Sequence, residues 1–303
     1  MSARIALVTS EPGRPRDDDL APLVDAVTRA GAVVDVVEWD DPSVDWSSFD
    51  LAVIRSTWDY TFRHAEFLAW TERCGALTRL VNAPAVVAWN SDKRYLDELR
   101  DAGVRVVPTT FVPDAESFDP ARDLPADEEF VVKPTVSAGS ADTVRHHTGD
   151  VDSAAAQVRE LLARGKTVMV QPYQRAVDDE GETALLYFGG EFSHAINKGP
   201  LLVAGQPAHR ALFAEEHITR TEASPEQLAL GRRCLDALAG LDALAGVDHP
   251  LPYARVDVLV DNEGEWSILE LELTEPSLFF DWADGSPDRY ATVLVELAEG
   301  EKP

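Results

Sequence analysis

The chain is short of basic residues. Across its 303 positions, 27 Lys and Arg stand against 54 Asp and Glu, a formal net charge of −27 at pH 7. Binding along nucleic acid needs a basic surface that displaces counterions, and adsorption to anionic lipid needs the same charge. Neither nucleic acid nor membrane is therefore an expected partner. Cysteine is nearly absent. Cys74 and Cys234 cannot build a disulfide framework, and both fall in helix-like segments where a thiol packs as a small hydrophobe. No apolar run is long enough to span a bilayer. The start, MSARIALVTS, lacks a basic stretch followed by a long apolar one, so no signal peptide is expected and the expected location is the cytoplasm. The acidity does not exclude a nucleotide, because a few lysines in a cleft, aided by metal, decide that locally.

The length allows two or three domains with a sizeable core. Residues 4–10, 32–38 and 51–54 read as strands, with amphipathic helices at 20–30 and 64–74. Asp19 is placed to cap the helix 20–30, and Gly31 follows its end. Strand, helix, strand at this spacing predicts a parallel α/β unit, whose ligands meet the loops after the strand ends. Arg55-Ser56-Thr57-Trp58-Asp59-Tyr60 is such a loop. A guanidinium, two hydroxyls and a carboxylate suit a small zwitterion, so Arg55, Ser56, Thr57 and Asp59 are substrate candidates. The alternative is a loop that packs Trp58 and Tyr60 into the domain.

Further on, Asn90 or Ser91 is placed to cap a helix over 92–102 that carries Lys93 near its start. Residues 113–129 read as surface loop. The strand 130–133 ends in Lys133 and runs into Val136-Ser137-Ala138-Gly139-Ser140-Ala141, small residues that let backbone N–H groups approach phosphate. Taken alone, Lys133 equally reads as a solvated strand end. Gly165-Lys166-Thr167 has the last letters of a phosphate-binding loop without its first glycine and reads as an ordinary turn. Residues 167–171 form a strand broken by Pro172-Tyr173, and 183–188 with 191–197 a hairpin around Gly189-Gly190. Helices are expected from Ser224 to about residue 239 and over 288–298.

The densest chemistry lies in residues 253–277. Val256, Val258 and Val260 alternate with Arg255, Asp257 and Leu259. After a polar turn, Leu269, Leu271 and Leu273 alternate with Glu270 and Glu272. A hairpin centred on Glu263-Gly264 sets Asp257 opposite Glu270. Three carboxylates on one patch of sheet repel unless cations sit between them, and oxygen-only ligands suit Mg²⁺. A solvated strand face is the alternative.

The order of these parts is more specific than any one of them. Lys93, Lys133, the small-residue run, Gln171-Pro172-Tyr173, Glu180-Gly181-Glu182, Lys198, Arg210, Arg255-Val256-Asp257 and Glu270-Leu271-Glu272 follow one another as in the ATP-grasp superfamily, which includes glutathione synthetase and D-alanine–D-alanine ligase. The resemblance covers about residues 89–280. It implies an α/β fold with α+β character in its ATP-binding part: an N-terminal parallel α/β domain (1–88), a central ATP-binding subdomain (89–172) and a C-terminal catalytic subdomain (173–303), with antiparallel sheets clasping ATP. It implies that Lys93 and Lys133 hold phosphates under a loop containing Ser137, Gly139 and Ser140. Gln171, Pro172 and Tyr173 contact adenine, Glu180 or Glu182 the ribose, and Asp257, Glu270 and Glu272 the Mg²⁺. The superfamily commonly ends that last motif Glu-x-Asn, where this chain has Glu272. Lys198 and Arg210 orient the acceptor. The implied reaction is ATP-dependent carboxylate–amine ligation through an acylphosphate.

Arg-Ser-Thr-Trp-Asp-Tyr, Asn-Ser-Asp-Lys and Glu-Leu-Glu-Leu-Thr-Glu-Pro-Ser are further similar to the cycloserine-biosynthesis branch, whose named activity closes O-ureido-serine to cycloserine. A small amino-acid-like substrate is the expected partner, with His194 a further contact for it. Intermolecular peptide ligation and a nucleotide-binding module without turnover are the other readings. Whether the chain forms a homo-oligomer is left open by the sequence.

Overall fold

The computed structural model describes residues 2–126, 128–206 and 217–300. Three sheets organise them. The first is parallel, in the order Val33–Glu38, Arg4–Thr9, Leu51–Ser56, Arg79–Val81. Helix Leu20–Arg29 turns Leu20, Leu23, Ala26 and Val27 inward and lies against the last helix, Ser286–Glu299, so the two chain ends share one core. Asp19 precedes the helix as expected but does not cap it with its side chain. Its carboxylate instead accepts the backbone N–H groups of Leu278, Phe279 and Phe280 at 2.6, 3.2 and 2.8 Å.

The second sheet is antiparallel, in the order Thr110–Val112, Val168–Pro172, Phe130–Pro134, Val144–His146. Phe130 and Val132 pack with Val158 and Leu161 of helix Val151–Ala163. The two-residue period of the strand therefore turns Val131 and Lys133 the other way, into a cleft. The third sheet has five antiparallel strands: Ile218–Thr221, Glu191–Lys198, Glu182–Phe188, Tyr253–Val260 and Trp266–Glu272. Its central strand is apolar on both faces. Ala184, Leu186 and Phe188 meet Tyr290 and Leu294 of the last helix, while Leu185 and Tyr187 meet Leu230, Cys234 and Leu238 of helix Pro225–Leu238.

Several elements differ from the sequence expectation. The helix expected over 92–102 begins only at Tyr95 and runs to Asp101, a separate helix, Pro84–Asn90, precedes it unforeseen, and Lys93 sits in the connection between them. Strand Val144–His146, the turn of helix Pro120–Asp123 and strand Ile218–Thr221 were not legible, being short and without a clear apolar period. The hairpin of residues 253–272 has the expected pairing, Asp257 with Glu270, but a bulge follows at once, since Val258 pairs with Ile268. The extra residue is Leu269. Strict alternation puts it with Leu271 on the core face; the bulge sends it to the cleft with Glu270. No helix among the described residues is long and apolar enough to cross a membrane.

Candidate active site

A cleft of about 650 Å³ opens where the three sheets meet. One end is apolar. Val107, Val131, Leu202, Leu259 and Leu269 line a slot beside Gln171, Pro172 and Tyr173. The middle is charged. Asn90 donates to the Leu271 carbonyl at 2.8 Å and accepts from the Leu273 N–H at 2.7 Å, while the Tyr95 hydroxyl accepts from the Leu271 N–H at 2.9 Å. These bonds sew the connection carrying Lys93 onto the carboxylate strand. Lys93 Nζ then lies 3.0 Å from Glu270 Oε1 and donates to the Ser137 carbonyl at 3.0 Å.

Lys198 Nζ lies 2.6 Å from Asp257 and 3.1 Å from Glu182. Gly181 makes that approach feasible: a Cβ there would lie 2.4 Å from the Lys198 carbonyl oxygen, and its φ of +72° is glycine territory. Arg255 donates to both oxygens of Asp257, at 2.9 and 3.0 Å, and to Glu272. Lys133 enters from the opposite sheet.

The electrostatics follow from burial and crowding. Burial works against the charged forms of Asp257 and Glu270, yet Arg255 and Lys198 hold the first, and Lys93 and Lys133 the second, below the ordinary carboxyl pKa. Burial pulls Lys93 down, but Glu270, joined by Glu272 and Glu275, more than offsets it. Lys133 is held below its ordinary pKa by burial, with the positive charges of Lys93 and Lys198 adding to the effect against the pull of Glu270. Glu272 is pushed up to about 7 by burial and by Glu270 and Asp257, against Arg255. Glu275 is pushed up to about 8 by burial and by Glu272. The third end of the cleft is acidic and aromatic, with Asp17, Asp18, Glu275, Trp58, Phe279 and Trp282.

Among the described residues, no three His, Cys, Asp or Glu side chains are gathered closely enough to hold an ion unaided. Mg²⁺ does not require that. It takes one or two carboxylates and completes its shell with phosphate and water. Asp257 faces Glu270 across the hairpin and Glu272 lies two residues on, so the oxygen donor chemistry fits.

Of the residues singled out from sequence, Lys93, Lys133, Ser137, Gly139, Ser140, Gln171, Pro172, Tyr173, Glu182, Lys198, Asp257, Glu270 and Glu272 all line this cleft. Glu180 does not. It ends a helical turn, and its carbonyl accepts from Asn197. Arg210 lies outside the described residues.

The loop from Arg55 is corrected. Arg55 is fully buried, lies 3.4 Å from Asp17 and 3.6 Å from Asp19, and donates to the Pro276 carbonyl at 3.1 Å. Ser56 and Thr57 are buried too. Asp59 accepts from Trp39 Nε1 at 3.0 Å and pairs with Arg63 at 2.8 Å. These polar groups point into the protein rather than the cleft, although Thr57 Oγ1 and Arg55 Nε find no hydrogen-bond partner there among the described residues. The alternative reading holds for Tyr60, which is buried and stacks on Phe67 at 4.8 Å between ring centroids, its edge only touching the cleft, whereas Trp58 is half-buried and reaches the cleft wall. His194 faces a separate shallow depression, its Nε2 donating to the Leu278 carbonyl at 2.9 Å. Sequence reasoning assigned no role to Arg255, Asp17 or Glu275. Arg255 was findable: it precedes Asp257 by two residues in a strand and so shares its face. Asp17 and Glu275 belong to the cleft only through chain packing.

A cleft between two antiparallel sheets, with an apolar slot leading into lysines and paired carboxylates, is the site of an ATP-grasp ligase. Residues 5–82 match the family model for the N-terminal domain of D-cycloserine synthetase DcsG. Cycloserine biosynthesis protein DcsG of Streptomyces lavendulae is 39% identical over 297 residues, 96% of this chain and 98% of that protein. The crystal structure of D-cycloserine synthetase DcsG matches with a TM-score of 0.86 at 36% identity, over 98% of this chain and 100% of that one. The ATP-grasp ligase PsnB, complexed with a phosphomimetic variant of its minimal precursor, Mg and ADP, shares the fold at 18% identity, with a TM-score of 0.63 over 99% of this chain and 100% of that one. The chain belongs to the DcsG family of ATP-grasp ligases.

Proposed function

We propose that this chain is an ADP-forming cyclo-ligase that closes O-ureido-serine to cycloserine in the cytoplasm. The observation that carries the reading is the convergence of four cations, Lys93, Lys133, Lys198 and Arg255, on three carboxylates in a cleft that is apolar at one end and acidic at another. The likeness to DcsG over nearly the whole chain supports the substrate. The apolar slot beside Gln171 and Tyr173 takes the flat base, and Glu182 the ribose. Lys93 and Lys133 bind the phosphates, and the loop through Ser137, Gly139 and Ser140 covers them. Mg²⁺, which a PsnB complex holds together with ADP, fits Asp257, Glu270 and Glu272, where it supplies neutralisation of phosphate charge.

Lys198 and Arg255 flank the carboxylates from the substrate side. They are placed to orient the substrate carboxylate and to meet the negative charge that grows as it takes the γ-phosphoryl group. Arg210 is retained as a further cation for the same step. Asp17 and Glu275 offer acceptors to the substrate's ammonium, and Trp58, Phe279 and Trp282 shield the acylphosphate from water. The nitrogen bonded to the side-chain oxygen of the same molecule then attacks the acyl carbon, losing its proton, and phosphate leaves; water must afterwards cleave the carbamoyl group from that nitrogen, as CO2 and ammonia, for cycloserine to result.

The test is incubation with ATP, Mg²⁺ and O-ureido-serine, reading ADP and product mass. Asp257→Asn and Glu270→Gln are each expected to remove turnover while circular dichroism stays native. ADP release that requires a second amine would replace cyclisation by intermolecular ligation. Near-normal activity of both variants at limiting Mg²⁺ would overturn the metal assignment.

A further inference from the structure

At the nucleotide end, one guanidinium that the proposed chemistry does not use joins two walls of the slot. Arg145 lies on the edge strand Val144–His146, yet its side chain is only 11% exposed. Its guanidinium carbon sits 3.4 Å from the centroid of the Tyr173 ring. Nε and Nη2 donate to Glu129 Oε2 at 3.2 and 2.5 Å, and Nη1 and Nη2 donate to the Asp178 carboxylate at 2.9 and 3.0 Å. The same two acids hold Tyr173. Its hydroxyl donates to Asp178 at 2.7 Å, and its backbone N–H to the Glu129 carbonyl at 2.8 Å.

On its other side Arg145 reaches the chain that leaves strand Glu191–Lys198 of the neighbouring sheet. Nη1 donates to the Leu202 carbonyl at 3.4 Å, and the Gly205 N–H donates to the Arg145 carbonyl at 3.0 Å. Tyr173 and Leu202 both line the apolar slot, together with Val107, Val131, Leu259 and Leu269. A lone surface ion pair would contribute little. Here a planar, fork-shaped cation stacks on one wall of the slot and hydrogen-bonds the backbone of another wall, a geometry that lysine cannot reproduce.

We propose that Arg145 is a positioning residue for the nucleotide base: by tying Leu202 to Tyr173 it sets the width of the slot that receives a flat heteroaromatic ring. The proposal rests on the ATP reading above and adds a base-specific device to it. The experiment is calorimetric titration of ADP, and of inorganic tripolyphosphate, which carries phosphates but no base, into the full chain and its Arg145→Gln and Leu202→Ala variants. Each variant is expected to bind ADP about three- to thirtyfold more weakly, and the double variant to lose less than the product of the two, as coupled neighbours do. Tripolyphosphate affinity should not change. Unchanged ADP affinity, or a parallel loss for both ligands, overturns the clamp. If Arg145→Gln does not fold, Arg145→Lys decides: it keeps the positive charge but cannot bridge Glu129, Asp178 and the Leu202 carbonyl at once, so it too should lose ADP affinity and leave tripolyphosphate affinity unchanged. A wild-type chain that binds neither ligand sinks the ATP reading, whereas one that binds both with the variants unaffected sinks only the clamp.

Discussion

Two lysines on either side of the helix Val151–Ala163 show how little a residue type says without its surroundings. Lys133 ends a strand whose alternation turns it into the cleft, where burial lowers its pKa among Lys93, Lys198 and Glu270. Lys166 donates to the Thr61 carbonyl at 2.8 Å, away from the cleft. Losing one charge-assisted hydrogen bond to a phosphate typically removes about 1.5–3 kcal/mol, roughly ten- to a hundredfold in binding. Lys133→Ala should therefore weaken ATP by about that factor in a filter-binding or calorimetric assay, and Lys166→Ala should not. Equal losses would remove the distinction. His194 makes a second prediction. Burial, foremost, pushes its pKa down to about 4 from an ordinary 6.5, the Leu278 carbonyl partly countering. Since the folded value lies below the unfolded one, acidification protonates the unfolded chain first. The stability this group contributes is complete above pH 6.5 and is lost as the pH falls through 4, by an amount on the order of 3 kcal/mol. Urea titrations at pH 7, 5.5 and 4.5 should show the gap between wild type and His194→Gln narrowing with acidity. A gap independent of pH would mean that His194 does not stay neutral in the fold.

At the scale of elements, the hairpin 253–272 was read in part: Asp257 pairs with Glu270 as expected, but beside the turn Val258 pairs with Ile268 and Val260 with Trp266, one residue off a turn centred on Glu263-Gly264. Its bulge was not legible. Leu269 and Leu271 are the same residue type, and only the pairing of the neighbouring strand shows which one faces the cleft. Asp19 illustrates the opposite error. Its place before a helix predicts a cap, but the carboxylate serves a segment some 260 residues away, binding three consecutive N–H groups of residues 278–280 and standing beside Arg55. Those residues lead into the acidic, aromatic wall of the cleft. Removing one partner of a buried charged network typically costs about 3–5 kcal/mol, so Asp19→Ala should lower the urea midpoint by that equivalent. A loss below about 1 kcal/mol, the scale of an ordinary cap, would return Asp19 to the role the sequence suggested.

For the whole molecule, the cleft takes walls from all three sheets, so a ligand that bridges them stabilises every one. A ligand at a hundred times its Kd contributes about 2.7 kcal/mol to the folded state. ADP with Mg²⁺ should raise the calorimetric transition accordingly, and EDTA should remove most of the gain; stabilisation by ADP indifferent to EDTA would argue against Asp257, Glu270 and Glu272 as Mg²⁺ ligands. The linear pattern by itself determined the parallel N-terminal unit, the carboxylate hairpin and the ordered lysines, because a period of two residues or of 3.6 is a local property that survives in one dimension. Only the tertiary structure decided that Arg55 and Asp59 are spent on internal partners, that Trp58 faces the cleft while Tyr60 packs on Phe67, and that Asp17, Glu275 and Arg145 belong to its surroundings. A charge is assigned by what lies within a few ångströms of it, and for these residues those neighbours come from other sheets and distant loops, where no spacing in the chain records them.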